Sequence, residues 1–211
     1  MSPGGEPPAT PFKTPADPPV GDVFTIGHST HTLPAFTTLL RRNRIEQVID
    51  IRTLPRSRRN PQFDIDVIQA ALRAEGFRYT HFPEVGGLRQ PVEESVNDGW
   101  DNEAFRGYAD HMGTPEFAEG VERVGRLASR RSTALMCAEA DWRRCHRRLL
   151  SDALSVRGWR VRHILPRRPD GEAGGHREPH PLTPFLVVEG GRISYPAAQG
   201  TLALGSARVP E

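Results

Sequence analysis

Lysine is almost missing from this chain: Lys13 is the only one among 211 residues, so nearly every cation is an arginine. Biased codon usage is the simplest explanation, and although arginine suits phosphate contacts, composition alone carries little weight. Excess charge is missing too. A formal net charge of +2 is too small to argue for nucleic acid. Long apolar runs are absent. The first twenty residues hold Pro3, Pro7, Pro8, Pro11, Pro15, Pro18 and Pro19 and read as neither a signal peptide nor a span. No later stretch approaches the length needed to cross a bilayer. A soluble, cytoplasmic protein with no membrane partner is expected. Cysteine is scarce as well: Cys137 and Cys145 are the only two. In a chain without a secretory signal they fit a reducing compartment, where thiols serve chemistry or metals rather than staples. No internal repeat is visible.

What is present, from Val23 onward, is an alternation of short β-rich runs with amphipathic stretches, the signature of βαβ units and a mainly parallel sheet. Strands are expected over 23–26, 45–51, 77–82, 133–137 and 159–165. Helices are expected over 33–42, capped by Thr32, and over 65–74, capped by Asp64 and stopped by Gly76. Others should begin at Glu103, at Thr114-Pro115 and at about Trp142. The stretch 83–101 has no clear period and reads as a functional loop or lid. The stretch 167–184 reads as a polar linker, and 185–195 as a hairpin around Glu189-Gly190-Gly191. The fold class is therefore α/β: a mainly parallel central sheet of about five strands flanked by helices, with a C-terminal β-hairpin. One domain over 22–196 is expected between a disordered tail at 1–21 and a flexible one at 197–211.

Residues that follow parallel strands gather on one edge of the sheet. His28 and Ser29 follow the first strand; Asp50, Arg52, Arg56, Ser57 and Arg58 lie at or after the second. His81, Glu84, Gly86, Gly87 and Arg89 lie at or after the third, Cys137 and Glu139 at the fourth, and His163 in the fifth. So many ionisable groups on one rim point to an active site. His28 suits proton transfer near neutrality. Asp50 and Arg52 are read as facing opposite sides of their strand, one of them in a buried pair with a neighbouring strand. Arg56 and Arg58 are candidate anion clamps. Cys137 stands where an apolar run ends and a helical pattern begins, so helix-terminal N–H groups would lower its pKa. Cys145, His146 and Arg147 lie in the following helix, so only some of them should face the rim.

The runs Thr25-Ile26-Gly27-His28-Ser29, Asp50-Ile51-Arg52, Pro55-Arg56-Ser57-Arg58, Gly86-Gly87-Leu88-Arg89, Met136-Cys137-Ala138-Glu139 and Cys145-His146-Arg147 resemble the bacterial and archaeal family called domain of unknown function 488. The likeness extends over 23–195, including His180-Pro181-Leu182-Thr183 and Tyr195-Pro196. It implies an α/β domain, Rossmann-like or rhodanese-like in its three layers, with these strand-end motifs as its signature. It implies no reaction. Cys137 to Arg143 is also similar to the C-x5-R loop of rhodaneses and dual-specificity phosphatases. Yet Glu139 and Asp141 in that loop, and the lack of glycine there, would repel phosphate or persulfide.

Three functions follow. The first is an enzyme acting on a phosphate-bearing, nucleotide or nucleic-acid-related molecule. In it Cys137 is nucleophile or polarising thiol, Glu139, His28 and Asp50 are candidate acid/base groups, and the substrate is bound by Ser29, Arg52, Arg56, Ser57, Arg58, Gly86, Gly87, Arg89, Cys145, His146 and Arg147. The second is a bound metal ion held by Cys137, Cys145 or His146 with His28, His81 or His163, although no C-x2-C pair marks it. The third is a non-catalytic nucleic-acid-binding module built on the arginines, against which stand Glu93, Glu94, Asp98 and Asp101.

Overall fold

The computed structural model describes residues 21–167 and 173–197. In chain order the elements are β1 (Gly21–Gly27), α1 (Leu33–Arg42), β2 (Gln47–Asp50), α2 (Ile65–Ala74), β3 (Arg78–His81), α3 (Glu103–His111), α4 (Pro115–Ala128), β4 (Thr133–Cys137), α5 (Arg147–Val156), β5 (Trp159–Arg167) and β6 (Ala173–Pro179), then the hairpin of β7 (Val187–Glu189) and β8 (Arg192–Ser194). The tails expected over 1–21 and 197–211 lie outside the described residues, save Gly21, which starts β1, and Ala197, whose N–H donates to Asp98 Oδ1.

The large sheet has the order β3-β2-β4-β1-β5-β6. Its first five strands are parallel and β6 runs against β5. β4 lies between β1 and β2, so Leu135 is the register partner of both Thr25 and Ile49. Side chains alternate across each strand and bury two cores. Phe24, Ile26, Val48 and Met136 meet Phe36, Leu40, Ile68 and Leu72 of α1 and α2 on one face. Val23, Ile49, Leu135 and Cys137 meet Tyr108, Phe117, Val121 and Leu149 of α3, α4 and α5 on the other. The chain thus leaves β1 and β2 toward one face and β4 toward the other. Their carboxyl ends part around β4, which creates the crevice where open α/β sheets bind ligands.

Local chemistry sets the helix ends. The hydroxyls of Thr32 and Thr114 accept the N–H groups of Ala35 and Phe117, and Gly76, at φ +85°, ends α2. Asp64 differs from expectation. It precedes α2, but its carboxylate accepts the Ser57 N–H at 2.7 Å and no helix N–H.

Two other expectations are corrected. The stretch 167–184 contains a strand: β6 pairs with β5 through His163↔Glu178 and Ile164↔Arg177. An edge strand has a single neighbour, which tolerates the polar, Gly- and Pro-containing sequence that read as a linker. The helix expected from Trp142 starts only at Arg147. A 3₁₀ turn over Trp142–Arg144 comes first, and Cys145 is extended at φ −125°, ψ 149°. Cys145 rather than Cys137 therefore stands at the start of the helix.

Candidate functional site

At the carboxyl edge, beneath the end of β4, lies a pocket of about 400 Å³ lined by both cysteines, His28, Arg52, Arg56, Ser57, Gly87, Glu139 and His146. Thr53, Leu54, Leu88, Ala104, Phe105, Ala138 and Arg144 complete its walls. These last seven were not expected. Arg144 carried a signal, being basic and next to Cys145; Ala104 and Phe105 depend on how α3 docks, which local sequence does not encode.

Two thiols and an imidazole form the floor. The Sγ atoms of Cys137 and Cys145 lie 3.9 and 3.6 Å from His146 Nδ1, and the three atoms fall within 4.8 Å of one another. His146 Nε2 is 3.2 Å from the Ile51 carbonyl oxygen, which can only accept, so Nε2 carries a proton and Nδ1 faces the sulfurs. Gly87 leaves room for this ring: a Cβ there would come within 2.3 Å of Nδ1. Gly86 lies as close to the chain after β2: its Cβ would meet Thr53 Oγ1 at 2.4 Å.

Arg147, buried to 1% exposure, donates from Nε to Cys145 Sγ at 3.4 Å and from Nη2 to the carbonyls of Glu139 and Ala140. It ties the loop after β4 to the second cysteine. Burial pushes the Cys145 thiol up, but the hydrogen bond from Cys137 and the positive surroundings at His146 and Arg147 outweigh it and bring its pKa well below the usual thiol value. The hydrogen bond to Cys145, together with burial, holds Cys137 well above it. Of the two thiols, Cys145 is the one whose surroundings favour ionisation.

Beside this floor is a buried polar assembly. Arg52 donates from Nε to Asp50 Oδ1 at 2.9 Å and from Nη2 to Oδ2 at 2.6 Å; Tyr79 O–H donates to Oδ2 at 2.6 Å. Residues two apart in an extended strand share a face, so Asp50 and Arg52 pair with each other, and the expectation of opposite faces is overturned. Asp50 is completely buried with its oxygens occupied, which makes it the holder of Arg52. Arg52 also donates to the Phe63 carbonyl at 2.8 Å and, through Nη1, to His28 Nε2 at 3.2 Å. His28 then donates from Nδ1 to the Ser29 carbonyl at 2.9 Å and stacks on Phe63 at 4.1 Å. Burial, partly offset by that carbonyl, lowers its pKa to about 4. With both nitrogens committed, His28 is a neutral wall of the pocket.

Other expected residues lie outside the lining. Ser29 adopts φ 47°, and its N–H holds the Ala138 carbonyl at 2.9 Å. Arg58 is exposed. Arg89 donates to the carbonyls of Gly86 and Pro83 and pairs with Glu116 at 3.4 Å. The loop over 83–101 is anchored: Asp110 accepts the Val92 N–H, the Ser95 hydroxyl and the Asn97 amide. His81 donates to the Arg52 carbonyl at 2.7 Å, away from the sulfurs. Arg143, the arginine of the C-x5-R spacing, pairs with Glu178 and Asp141 and lies over the Trp142 ring.

His163 belongs to a second, buried network. Asp152 Oδ1 accepts from His180 Nε2 at 2.9 Å; His180 Nδ1 faces His163 Nε2 at 3.0 Å, and His163 Nδ1 faces Thr25 Oγ1 at 2.7 Å. Asp152 also accepts the Thr183 N–H and the Tyr195 hydroxyl, both at 3.0 Å. His163 stacks on Trp142 at 4.0 Å, and burial lowers its pKa to about 2. This network clasps the segment after β6 to α5 and β5.

Fold and site together define a three-layer α/β domain with a thiol–imidazole pocket at the carboxyl edge of its sheet. The chain belongs to the family described as Domain of unknown function DUF488, whose profile matches residues 32–154, more than half of its length. The matched segment holds Asp50, Arg52, Gly86, Gly87, Cys137, Glu139 and Cys145-His146-Arg147; His28, His163 and the Asp152 partners His180, Thr183 and Tyr195 fall outside it. No curated protein and no solved structure matches the chain. No helix among the described residues is long and apolar enough to cross a membrane.

Proposed function

We propose that the protein is a cysteine-dependent enzyme, a hydrolase or transferase, whose active site is this pocket and whose substrate is a phosphate-bearing, nucleotide-like small molecule. The observation that supports this most is the meeting of a two-thiol floor with cations that have no partner of their own. Arg56 and Arg144 line the pocket, both are exposed, and neither side chain has a hydrogen bond or ion pair among the described residues. Arg52 is already neutralised by Asp50, and Glu139 is the single acid of the wall. An anion bound there would gain charge-assisted hydrogen bonds from two guanidiniums. Leu54, Leu88 and Phe105 offer apolar surface to the rest of the molecule, and the volume falls in the usual range for small-molecule sites.

In this reading Cys145 replaces Cys137 as the anionic sulfur, Cys137 hydrogen-bonds it, and exposed Glu139 moves protons. A rhodanese- or phosphatase-like cradle is disfavoured because Arg143 turns away from the sulfurs. A cytoplasmic location is part of the same proposal, supported by two free thiols at close range.

The test is calorimetric titration with a panel of nucleotides and phosphate monoesters, followed by turnover of any that bind. Arg144→Ala and Arg56→Ala should each weaken binding about tenfold or more, the loss of one charge-assisted contact. Unchanged turnover in a folded Cys137→Ala, Glu139→Gln double variant would sink the proposal.

A further inference from the structure

From the floor of the pocket we infer a zinc site with Cys137, Cys145 and His146 as ligands and its fourth position open to substrate. The inference deepens the proposal above and rests on its choice of pocket. Zinc takes sulfur at about 2.3 Å and imidazole nitrogen at about 2.0–2.1 Å. At tetrahedral angles those bonds require sulfur–nitrogen separations of about 3.6 Å and a sulfur–sulfur separation of about 3.8 Å. The structure has 3.6 and 3.9 Å for the two sulfur–nitrogen pairs, with all three donors inside 4.8 Å. The longer sulfur–nitrogen pair would have to close by a few tenths of an ångström and the two sulfurs by at most about 1 Å to complete the geometry.

Hydrogen bonding joins the cluster only as a chain, from Cys137 to Cys145 and from the sulfurs to Nδ1 at 3.9 and 3.6 Å, whereas a metal ion would draw on all three donor atoms at once. The surroundings are those that orient metal ligands. The Ile51 carbonyl fixes the His146 tautomer that presents Nδ1, and Arg147 donates an N–H to Cys145 Sγ. Gly87 keeps the space beside Nδ1 clear. Soft sulfur with imidazole selects zinc over magnesium or calcium. Three protein ligands and a face open to a pocket are the pattern of catalytic zinc, since structural sites close all four positions. Such an ion would lower the pKa of a bound water, and Glu139, the acid of the same wall, would be the group to exchange that proton.

The experiment uses the full chain, expressed with zinc, purified without chelator and analysed for metal. About one zinc per chain is expected, with both thiols resisting alkylation until a chelator is added. Cobalt titrated into the chelated protein should raise sulfur-to-metal charge-transfer absorption that zinc then abolishes. Cys145→Ser and His146→Ala should each lower zinc affinity at least tenfold, with circular dichroism confirming the fold. Chelated wild-type protein that is folded, gives no cobalt band and is alkylated at the same rate with and without zinc overturns the inference. If that protein still binds nucleotides through Arg144, the active-site proposal stands without the metal. Stoichiometric zinc with no phosphate-bearing ligand bound supports the metal site and counts against the active site.

Discussion

His28 and His163 are two imidazoles that the fold keeps neutral, at about pKa 4 and 2. Above the free value of 6.5 folded and unfolded chains are alike at these positions. Below it the unfolded chain takes up protons that the folded chain refuses, so stability falls with pH until each group protonates in place. The slope is about 1.4 kcal/mol per pH unit for each histidine. Between pH 7.5 and 5 the pair should therefore cost about 4 kcal/mol, read as a falling urea midpoint; a flat midpoint across that window would contradict the assignment. His28 was legible as a strand-end histidine, but its role was not. Nothing in Gly27-His28-Ser29 reveals that an arginine 24 residues away occupies its lone pair.

At the scale of elements, the loop from Cys137 to His146 is the part that makes the site. Gly27 is its seat: a Cβ there would stand 2.0 Å from the Glu139 carbonyl oxygen and 3.0 Å from Ala140 Cα. Gly27→Ala must push the loop off the end of β1, where His28 N–H holds the Cys137 carbonyl at 2.8 Å. Overpacking of this kind costs about 1–3 kcal/mol. Chemical denaturation should show that loss, and alkylation of both cysteines should quicken as the floor loosens. Elements with strong periodicity were readable: α1, α2 and β4 fall at their expected limits, because an apolar face at helical spacing or a continuous buried run leaves little choice. β6 was not readable, since an edge strand needs no apolar pattern of its own. The start of α5 was misplaced because Trp142–Arg144 turns as a 3₁₀ segment and Cys145 straightens before the helix begins, and that shifted the helix-start position from one cysteine to the other.

Across the whole molecule, the segment beyond β6 is tethered at several points, among them Asn97 and Trp100, and Asp152 is the buried centre of one cluster of these contacts. Asp152 on α5 accepts from His180, Thr183 and Tyr195, and all of its side chain is buried. Asp152→Ala would leave three donors without their acceptor and should cost about 3–5 kcal/mol. Proteolysis under native conditions should then cut between 180 and 197 well before the sheet is touched; equal resistance to wild type would refute the clasp. The central place of β4 has a further consequence, for how the chain is made. β1 and β2 emerge from the ribosome first but cannot pair with each other, because the strand that joins them is about a hundred residues away in synthesis. Non-local closure of this sort is slow and concerted. The sheet and the thiol cluster must therefore appear together, and a nascent or partly unfolded chain carries two separate cysteines instead of a clustered pair.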